Sequence, residues 1–505
     1  MLLIHPPVAK PCEPPAGIAR LAGVLRGHDI GCDLLDANLE GLLYLLAGPH
    51  KPTDTWGRRA CRNLSANLAA LRAPQLYTNQ DRYQRAVHDV NRVLEQAGQK
   101  YQVTLSLANY QEGKLSPLTS GDLIKAAERP ADTVFYPYFA HRLPPLLEEK
   151  QPVMVGFSLN YLSQALCTFA MIGFLREKDP GLAVVLGGGL VTSWLRNPAW
   201  RNPFGGLVDH LIAGPGEEAL LDLLGGPRKG AADRQHLPPD YHDLPLAGYL
   251  APGFILPYAA SSGCYWNKCS FCPEKAEENP YLGLKTDQVL DDIGLLVERT
   301  KPALLHFLDN AISPALLKAL AGRPPGVSWY SFARVSSQLA DVDFCRALKK
   351  SGCVMLKLGL ESGDQGVLDA MHKGIDLDMV SRALAALHEA GIATYVYLLF
   401  GTPAESRAAA NRTLEFVARH SRAITFLNLA VFNMPISSPE ARTLAVSDFY
   451  EADLSLYTDF VHPHGWDRKK IRRYLDQEFK RHPAVSSILR RDPFLFTSNH
   501  APFFC

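Results

Sequence analysis

Three cysteines, Cys264, Cys269 and Cys272, fall within the stretch Ser262-Gly-Cys-Tyr-Trp-Asn-Lys-Cys-Ser-Phe-Cys-Pro273. Thiolates are soft donors, and three of them this close in sequence can hold one face of an iron–sulfur cluster. No fourth cysteine is local, which leaves one iron open to a ligand that is not protein. Two other readings stand beside this one. A zinc knuckle would need a further Cys or His in a second short pair, and the next candidates are His306 and Cys345. Three unrelated thiols would not bring the downstream pattern described below.

The two-residue gap Ser270-Phe271, with its aromatic just before the third cysteine, resembles the radical S-adenosylmethionine (SAM) enzymes. The first gap departs from the family's commonest spacing: Tyr265 to Lys268 is four residues where three are usual. The resemblance implies a [4Fe–4S] cluster on the three thiolates, with the fourth iron chelated by the amino and carboxylate groups of SAM. It also implies an external electron donor of flavodoxin or ferredoxin type, whose electron leads to methionine and a 5′-deoxyadenosyl radical.

Such chemistry needs a scaffold, and 505 residues suffice for two to four domains. Hydrophobic residues make up 47% and charged residues 20%, as in ordinary globular chains. The net charge of +1 points to no polyanionic partner. Ten cysteines form no regular disulfide framework, and a thiolate cluster needs a reducing compartment. The start, Met-Leu-Leu-Ile-His-Pro-Pro, lacks the basic and apolar regions of a signal peptide. With no apolar run of membrane-spanning length, the expectation is a cytoplasmic protein without a membrane span.

Residues 1–235 read as a first domain. Leu2–Ile4, Cys32–Asp36, Val153–Phe157 and Ala183–Leu186 have strand character, and Ala16–Leu25 has helical periodicity. Alternating strands and helices predict a doubly wound, Rossmann-like parallel sheet, with ligands at the strands' carboxyl ends. Two loops fall there: Ser158-Leu159-Asn160, and Gly187-Gly188-Gly189, whose glycines would admit a bulky ligand. A tight turn before a helix explains the glycines equally well.

The opening strand with Pro6-Pro7, the Glu13-Pro-Pro-Ala-Gly-Ile-Ala-Arg segment and these loops resemble the cobalamin-binding domain fused to many radical SAM enzymes. The Ala213-Gly-Pro-Gly-Glu-Glu218 segment resembles the close of that domain. The Asp-x-His-x-x-Gly motif of many cobalamin proteins is missing, because Leu3 and Val8 flank His5. His5 therefore reads as a strand-end residue rather than a cobalt ligand. Residues 45–150 are far longer than a usual crossover and read as a helical insertion, with a helix over Asp81–Leu94. The Gly-, Pro- and Asp-rich residues 236–254 read as a linker.

Residues 255–445 offer six strands: Ile255–Ala260, Ala303–Leu308, Val327–Phe332, Val354–Leu360, Thr394–Phe400 and Ile424–Val431. The α/β order matches the partial (β/α)6 barrel of radical SAM enzymes, where chemistry sits at the strands' carboxyl ends. By that resemblance, Asp309 and Asn310 stand where the family holds the SAM amino group, although its glycines and Glu are replaced. Glu361, with Ser362 in Gly359-Leu-Glu-Ser-Gly363, stands at the ribose-hydroxyl position. Gly401, in Phe400-Gly-Thr-Pro-Ala-Glu405, stands beside the adenine. Arg334 could pair with the SAM carboxylate, or face solvent. Asn428 could contact SAM, or satisfy backbone groups.

Residues 446–505 form a small α-rich C-terminal region, with a helix over Asp467–Phe479. Its nine Lys and Arg against four Asp and Glu between Asp467 and Asp492 fit a solvated face better than nucleic acid. The terminal aromatic stretch would dock somewhere, and His500 could reach the active site.

Together these readings predict a cobalamin-dependent radical SAM methyltransferase acting on an unactivated carbon of a small molecule or peptide. A cobalamin-assisted cyclase or rearrangement enzyme is the alternative. A methylthiotransferase would carry a second cysteine trio, which Cys12, Cys32 and Cys61 do not make. A non-catalytic cobalamin or cluster sensor would have no use for the Glu361 segment.

Overall fold

The computed structural model describes residues 1–226, 236–493 and 500–505. It divides into two compact units, one built mainly from Met1–Ile255 and the other mainly from Leu256–Tyr450 and Leu456–Pro493.

In the first unit, five strands form one parallel sheet: β1 (Leu2–His5), β2 (Asp33–Asp36), β3 (Met154–Ser158), β4 (Ala183–Gly187) and β5 (His210–Leu211). Their order is β2-β1-β3-β4-β5. The chain steps from β1 outward to β2, then crosses back to β3, so the order reverses between β1 and β3. Open α/β sheets bind ligands at the carboxyl edge beside such a switch point. The apolar run Leu2-Leu3-Ile4 is buried, as a sheet covered on both faces requires. The two-residue β5 is too short to leave a hydrophobic pattern and is found only in the structure.

The insertion belongs to this unit. Helix Gln80–Gln99 extends beyond the expected Asp81–Leu94, with Tyr83, Val87, Val90 and Leu94 buried, and it packs on helix Thr55–Leu71. Helix Ser120–Glu128 lies so close to helix Leu162–Lys178 that a Cβ on Gly173 would fall 1.8 Å from the Ala127 carbonyl oxygen.

Residues 236–254, read as a linker, instead form a strap on the first unit. Pro238 lies against Gly23, where an added Cβ would meet its carbonyl oxygen at 2.1 Å. Arg26 pairs with Asp240 at 2.7 Å and also with Asp243. The Tyr249 hydroxyl donates to buried Asp36 at 2.7 Å. Proline and glycine leave only a short 3-10 turn, Leu246–Gly248, here, but they do not preclude packing.

The second unit is an open row of six strands in strict chain order: β6 (Ile255–Tyr258), β7 (Leu304–Phe307), β8 (Trp329–Ala333), β9 (Cys353–Glu361), β10 (Ala393–Phe400) and β11 (Phe426–Val431). From β7 to β11 the pairing is parallel. Each lies within two residues of its expected bounds.

The two faces differ in chemistry. Leu356, Leu358, Val396, Leu398 and Leu427 alternate on the face covered by helices and are buried. The other face carries Phe332, Gly359, Tyr397 and Asn428, all half-exposed toward the carboxyl ends. Lower on this face Lys357, Tyr395 and Phe426 are buried. The His500 ring lies 4.4 Å from that of Tyr395 and 4.6 Å from that of Phe426. The C-terminal residues thus floor the open face.

The expected helix over Asp467–Phe479 splits into an α-helix, Arg468–Tyr474, and a π-helical turn, Leu475–Phe479. Its apolar residues Ile471, Tyr474, Leu475 and Phe479 are buried as expected. No helix among the described residues is long and apolar enough to cross a membrane.

Glu405 fastens this C-terminal segment to the end of β10. Its carboxylate accepts the Gly401 N–H at 2.6 Å and the Trp466 indole N–H at 3.0 Å, while its other oxygen is buried without a partner. Burial pushes its pKa up to about 7. A carboxyl that holds its proton more tightly when folded costs stability as pH rises from the unfolded value through the folded one. Glu405→Gln keeps the accepting oxygen and removes the charge. Its melting temperature should exceed that of wild type at pH 8, by a stability gain on the order of 1–3 kcal/mol. The gain should vanish near pH 4.5, and melting curves across that range check it.

Candidate functional site

The cysteine loop begins at the end of β6 and is held from two sides. On one side Asp309, just past β7, accepts the Ala260 N–H at 3.1 Å and the Ser261 hydroxyl. Asn310 donates to the Gly263 carbonyl at 3.2 Å. Both residues therefore shape the approach to Cys264. Asp309 is buried, and burial raises its pKa against the pull of those hydrogen bonds.

On the other side the loop docks on the turn 371–374, after β9. The Ser270 N–H donates to the Met371 carbonyl at 3.0 Å, and the Trp266 indole N–H donates to the His372 carbonyl at 3.1 Å. Arg334 donates to the Lys373 carbonyl at 2.6 Å and lies 4.2 Å from the centroid of the Trp266 ring. Gly374, at φ +64°, presses on Trp266 so closely that a Cβ would fall 2.0 Å from the ring.

Cys269 is the buried member of the trio. Burial raises its pKa, and the charges of Lys373 and Arg334 pull it back down. Arg334 Nη1 lies 4.0 Å from its sulfur. Cys272 is pushed up to about 11 by burial, against the pull of the Glu274 and Lys275 backbone N–H groups. Among the described residues no three Cys, His, Asp or Glu side chains converge as ligands of a single ion. Thiolates on the corners of a cubane bind three different irons, so they need not converge on one point. A cysteine trio whose buried member, Cys269, feels Lys373 and Arg334 fits a cluster that brings negative charge to the loop.

Glu361 ends β9 at φ +68°, a conformation that non-glycine residues rarely adopt. Its carboxylate accepts from Lys373 Nζ at 2.8 Å, with side chains only 12% and 8% exposed. Gly359 makes room for the pair: a Cβ there would fall 2.5 Å from Glu361 Oε1 and 2.8 Å from Lys373 Nζ. Lys373, Gly374 and the docking role of Trp266 are absent from the sequence reading. The one local signal was Lys-Gly in Met371-His-Lys-Gly-Ile375.

The remaining expected residues divide. Asn428 hydrogen-bonds Tyr395 on the open face. Ser362 is fully buried, its hydroxyl engaged by Thr413 at 3.2 Å and by the Asp364 N–H at 3.2 Å. Gly401, at φ +84°, turns the chain over Ile471. His500 sits beneath the open face, paired with Asp492 at 3.0 Å.

In the first unit the two expected loops clasp each other. The Leu159 N–H donates to the Gly187 carbonyl at 2.8 Å, and the Gly189 N–H donates to the Asn160 side chain at 2.9 Å. Gly188, at φ +110°, allows this approach, because a Cβ would fall 2.4 Å from the Leu159 carbonyl oxygen. The bareness of Gly188 thus serves the neighbouring loop, and the Leu159 side chain lies in the core. Gly189 is exposed, with Ser158 and Asn160 half-exposed beside it. His5 is buried, and burial lowers its pKa to about 4.

Residues 258–417 match the radical SAM superfamily. The match runs from the end of β6 to the helix that follows β10, Arg407–Arg419.

Two curated relatives align with the chain over less than half its length. The bacteriochlorophyllide d C-12(1)-methyltransferase of Chlorobaculum tepidum is 26% identical over 40% of this chain and 48% of its own. The anaerobic magnesium-protoporphyrin IX monomethyl ester cyclase of Rubrivivax gelatinosus is 23% identical over 47% and 49%. The chain thus spans about half the length of the curated relatives it matches.

Solved structures share the fold of both units. The cobalamin-dependent SAM radical enzyme OxsB, with aqua-cobalamin bound, aligns with TM-score 0.58 at 13% identity, over 95% of this chain and 67% of its own. The radical SAM methyltransferase TsrM of Kitasatospora setae, with tryptophan and a SAM analogue bound, aligns with TM-score 0.57 at 15% identity, over 99% and 92%.

Docking of the cysteine loop predicts a sharp dependence on Gly374. Gly374→Ala should displace Trp266 and leave less than about half the wild-type iron after anaerobic reconstitution, because neither the ring nor the positive φ can yield cheaply. Iron and sulfide analysis checks this.

Proposed function

We propose that the chain is a cobalamin-dependent radical SAM methyltransferase. The supporting observation is the second-unit site, where the thiols of the 264–272 loop, Arg334 and the Glu361–Lys373 pair stand at the carboxyl edge of one sheet. When bound, the cluster with SAM supplies a 5′-deoxyadenosyl radical, and cobalamin supplies a methyl carrier. Cys264, Cys269 and Cys272 hold the cluster. Glu361 accepts hydrogen bonds from the ribose hydroxyls, and Arg334 offers its guanidinium to the carboxylate of SAM.

Cobalamin has its place at the carboxyl edge of β3 and β4, where Gly189, Ser158 and Asn160 reach solvent. His5, neutral and buried, is not its axial ligand. The substrate is a small molecule or peptide that lies against Phe332 and Tyr397, and a one-electron donor serves the cluster. A second reading, a cobalamin-assisted cyclase, is favoured by the cyclase relative, which aligns with 47% of the chain.

Anaerobic reconstitution with cobalamin, followed by mass spectrometry of the SAM products, separates these readings. Methyl transfer yields S-adenosylhomocysteine together with 5′-deoxyadenosine, whereas cyclisation yields 5′-deoxyadenosine alone. Replacing any of the three cysteines by Ala should abolish both products. Gly189→Leu should abolish cobalamin retention with the cluster intact, since Gly189 is exposed and an added Cβ would meet nothing closer than Asn160 at 3.7 Å. Retention at the wild-type level would move the corrinoid away from this edge.

A further inference from the structure

The Lys373–Glu361 pair calls for an explanation beyond folding. Burying two charges costs as much as their attraction returns, so a buried ion pair is weak evidence of a stabilising role. Here it also requires a left-handed backbone at Glu361 and a missing side chain at Gly359. Local strain of this kind concentrates where geometry serves function.

The surroundings show which function. Lys373 Nζ lies 5.5 Å from the centroid of the Phe271 ring, between Cys269 and Cys272 in the chain. Its charge acts on the Cys269 thiol together with those of Arg334 and, with opposite sign, Glu361. Its carbonyl receives Arg334, and its neighbours Met371, His372 and Gly374 carry the cysteine loop. One residue therefore touches the nucleoside acceptor, the carboxylate-binding cation and the cluster loop.

We propose that Lys373 is a positioning residue with two duties: its ammonium aims the Glu361 carboxylate at the ribose hydroxyls and sets one positive charge beside the Cys269 thiolate. The same charge then tunes both SAM affinity and the potential at which the cluster accepts an electron. This inference rests on the reading of the site as a cluster-and-SAM centre.

The test uses the full-length chain, reconstituted anaerobically, as wild type, Lys373→Met, Lys373→Arg, Glu361→Gln and the double variant Lys373→Met/Glu361→Gln. Midpoint potentials come from potentiometric titration read by electron paramagnetic resonance. SAM binding to the oxidised proteins comes from calorimetry. Removing the positive charge should move the midpoint of Lys373→Met to more negative potential. Removing the negative charge should move that of Glu361→Gln to more positive potential, and the double variant should return near wild type.

Lys373→Arg should keep the wild-type potential. Both single neutral variants should bind SAM roughly tenfold to a hundredfold more weakly, as expected for charge-assisted hydrogen bonds. Residues that merely supported the fold would lower iron content or melting temperature without opposite signs in potential. Shifts in the same direction, or none, in variants that hold a full cluster overturn the proposal alone. A wild-type chain that takes up no cluster overturns it together with the functional reading beneath it.

Discussion

The docking of the cysteine loop on the 371–374 turn is the constraint on which the second unit's site depends. A nine-residue loop rich in polar backbone cannot hold three sulfurs in place by itself. The Ser270 N–H and the Trp266 indole find their acceptors on Met371 and His372. Those carbonyls are presented by a turn that closes the short helix Gln365–Ala370, which follows β9, so the loop is tied to the end of that strand through one helix. Glu361 stands at the end of the same strand. Cluster loop and Glu361 are thus fixed relative to each other by one strand end, one short helix and the Lys373–Glu361 pair.

The sheet explains why chemistry gathers at this edge. Parallel pairing from β7 to β11 places the carboxyl ends of those strands on one side, each followed by a loop free to carry function. Aliphatic residues on one face pack the helices, and the other face is left to aromatic and polar groups. The first unit uses the same logic with a different order, its switch point between β1 and β3 opening an edge at the Ser158 and Gly187 loops.

Much of this was legible in sequence because strands and helices announce themselves by period. All six strands of the second unit, and the four longer strands of the first, follow from runs such as Val354–Leu360. The cysteine trio was legible because spacing is chemistry. What escaped was tertiary. Lys373 is ordinary in sequence and becomes central only when the turn brings it under Glu361. Gly188 looked like a ligand cradle, yet its missing Cβ is occupied by Leu159, a contact spanning two strands. Residues 236–254 had the composition of a linker, and composition does not reveal the Arg26 and Asp36 side chains that receive them. Ser362 lay in a recognisable segment, but alternation around the bulge at Gly359 sends its hydroxyl to Thr413 instead of the open face.

The most direct test of the central claim is electron–nuclear double resonance on the reduced, reconstituted protein with SAM labelled by 15N at its amino group and by 17O at its carboxylate. If Cys264, Cys269 and Cys272 hold three corners of a cluster and leave the fourth iron to SAM, both labels should couple to the cluster spin. A cluster that forms but shows no coupling to either label would contradict the account.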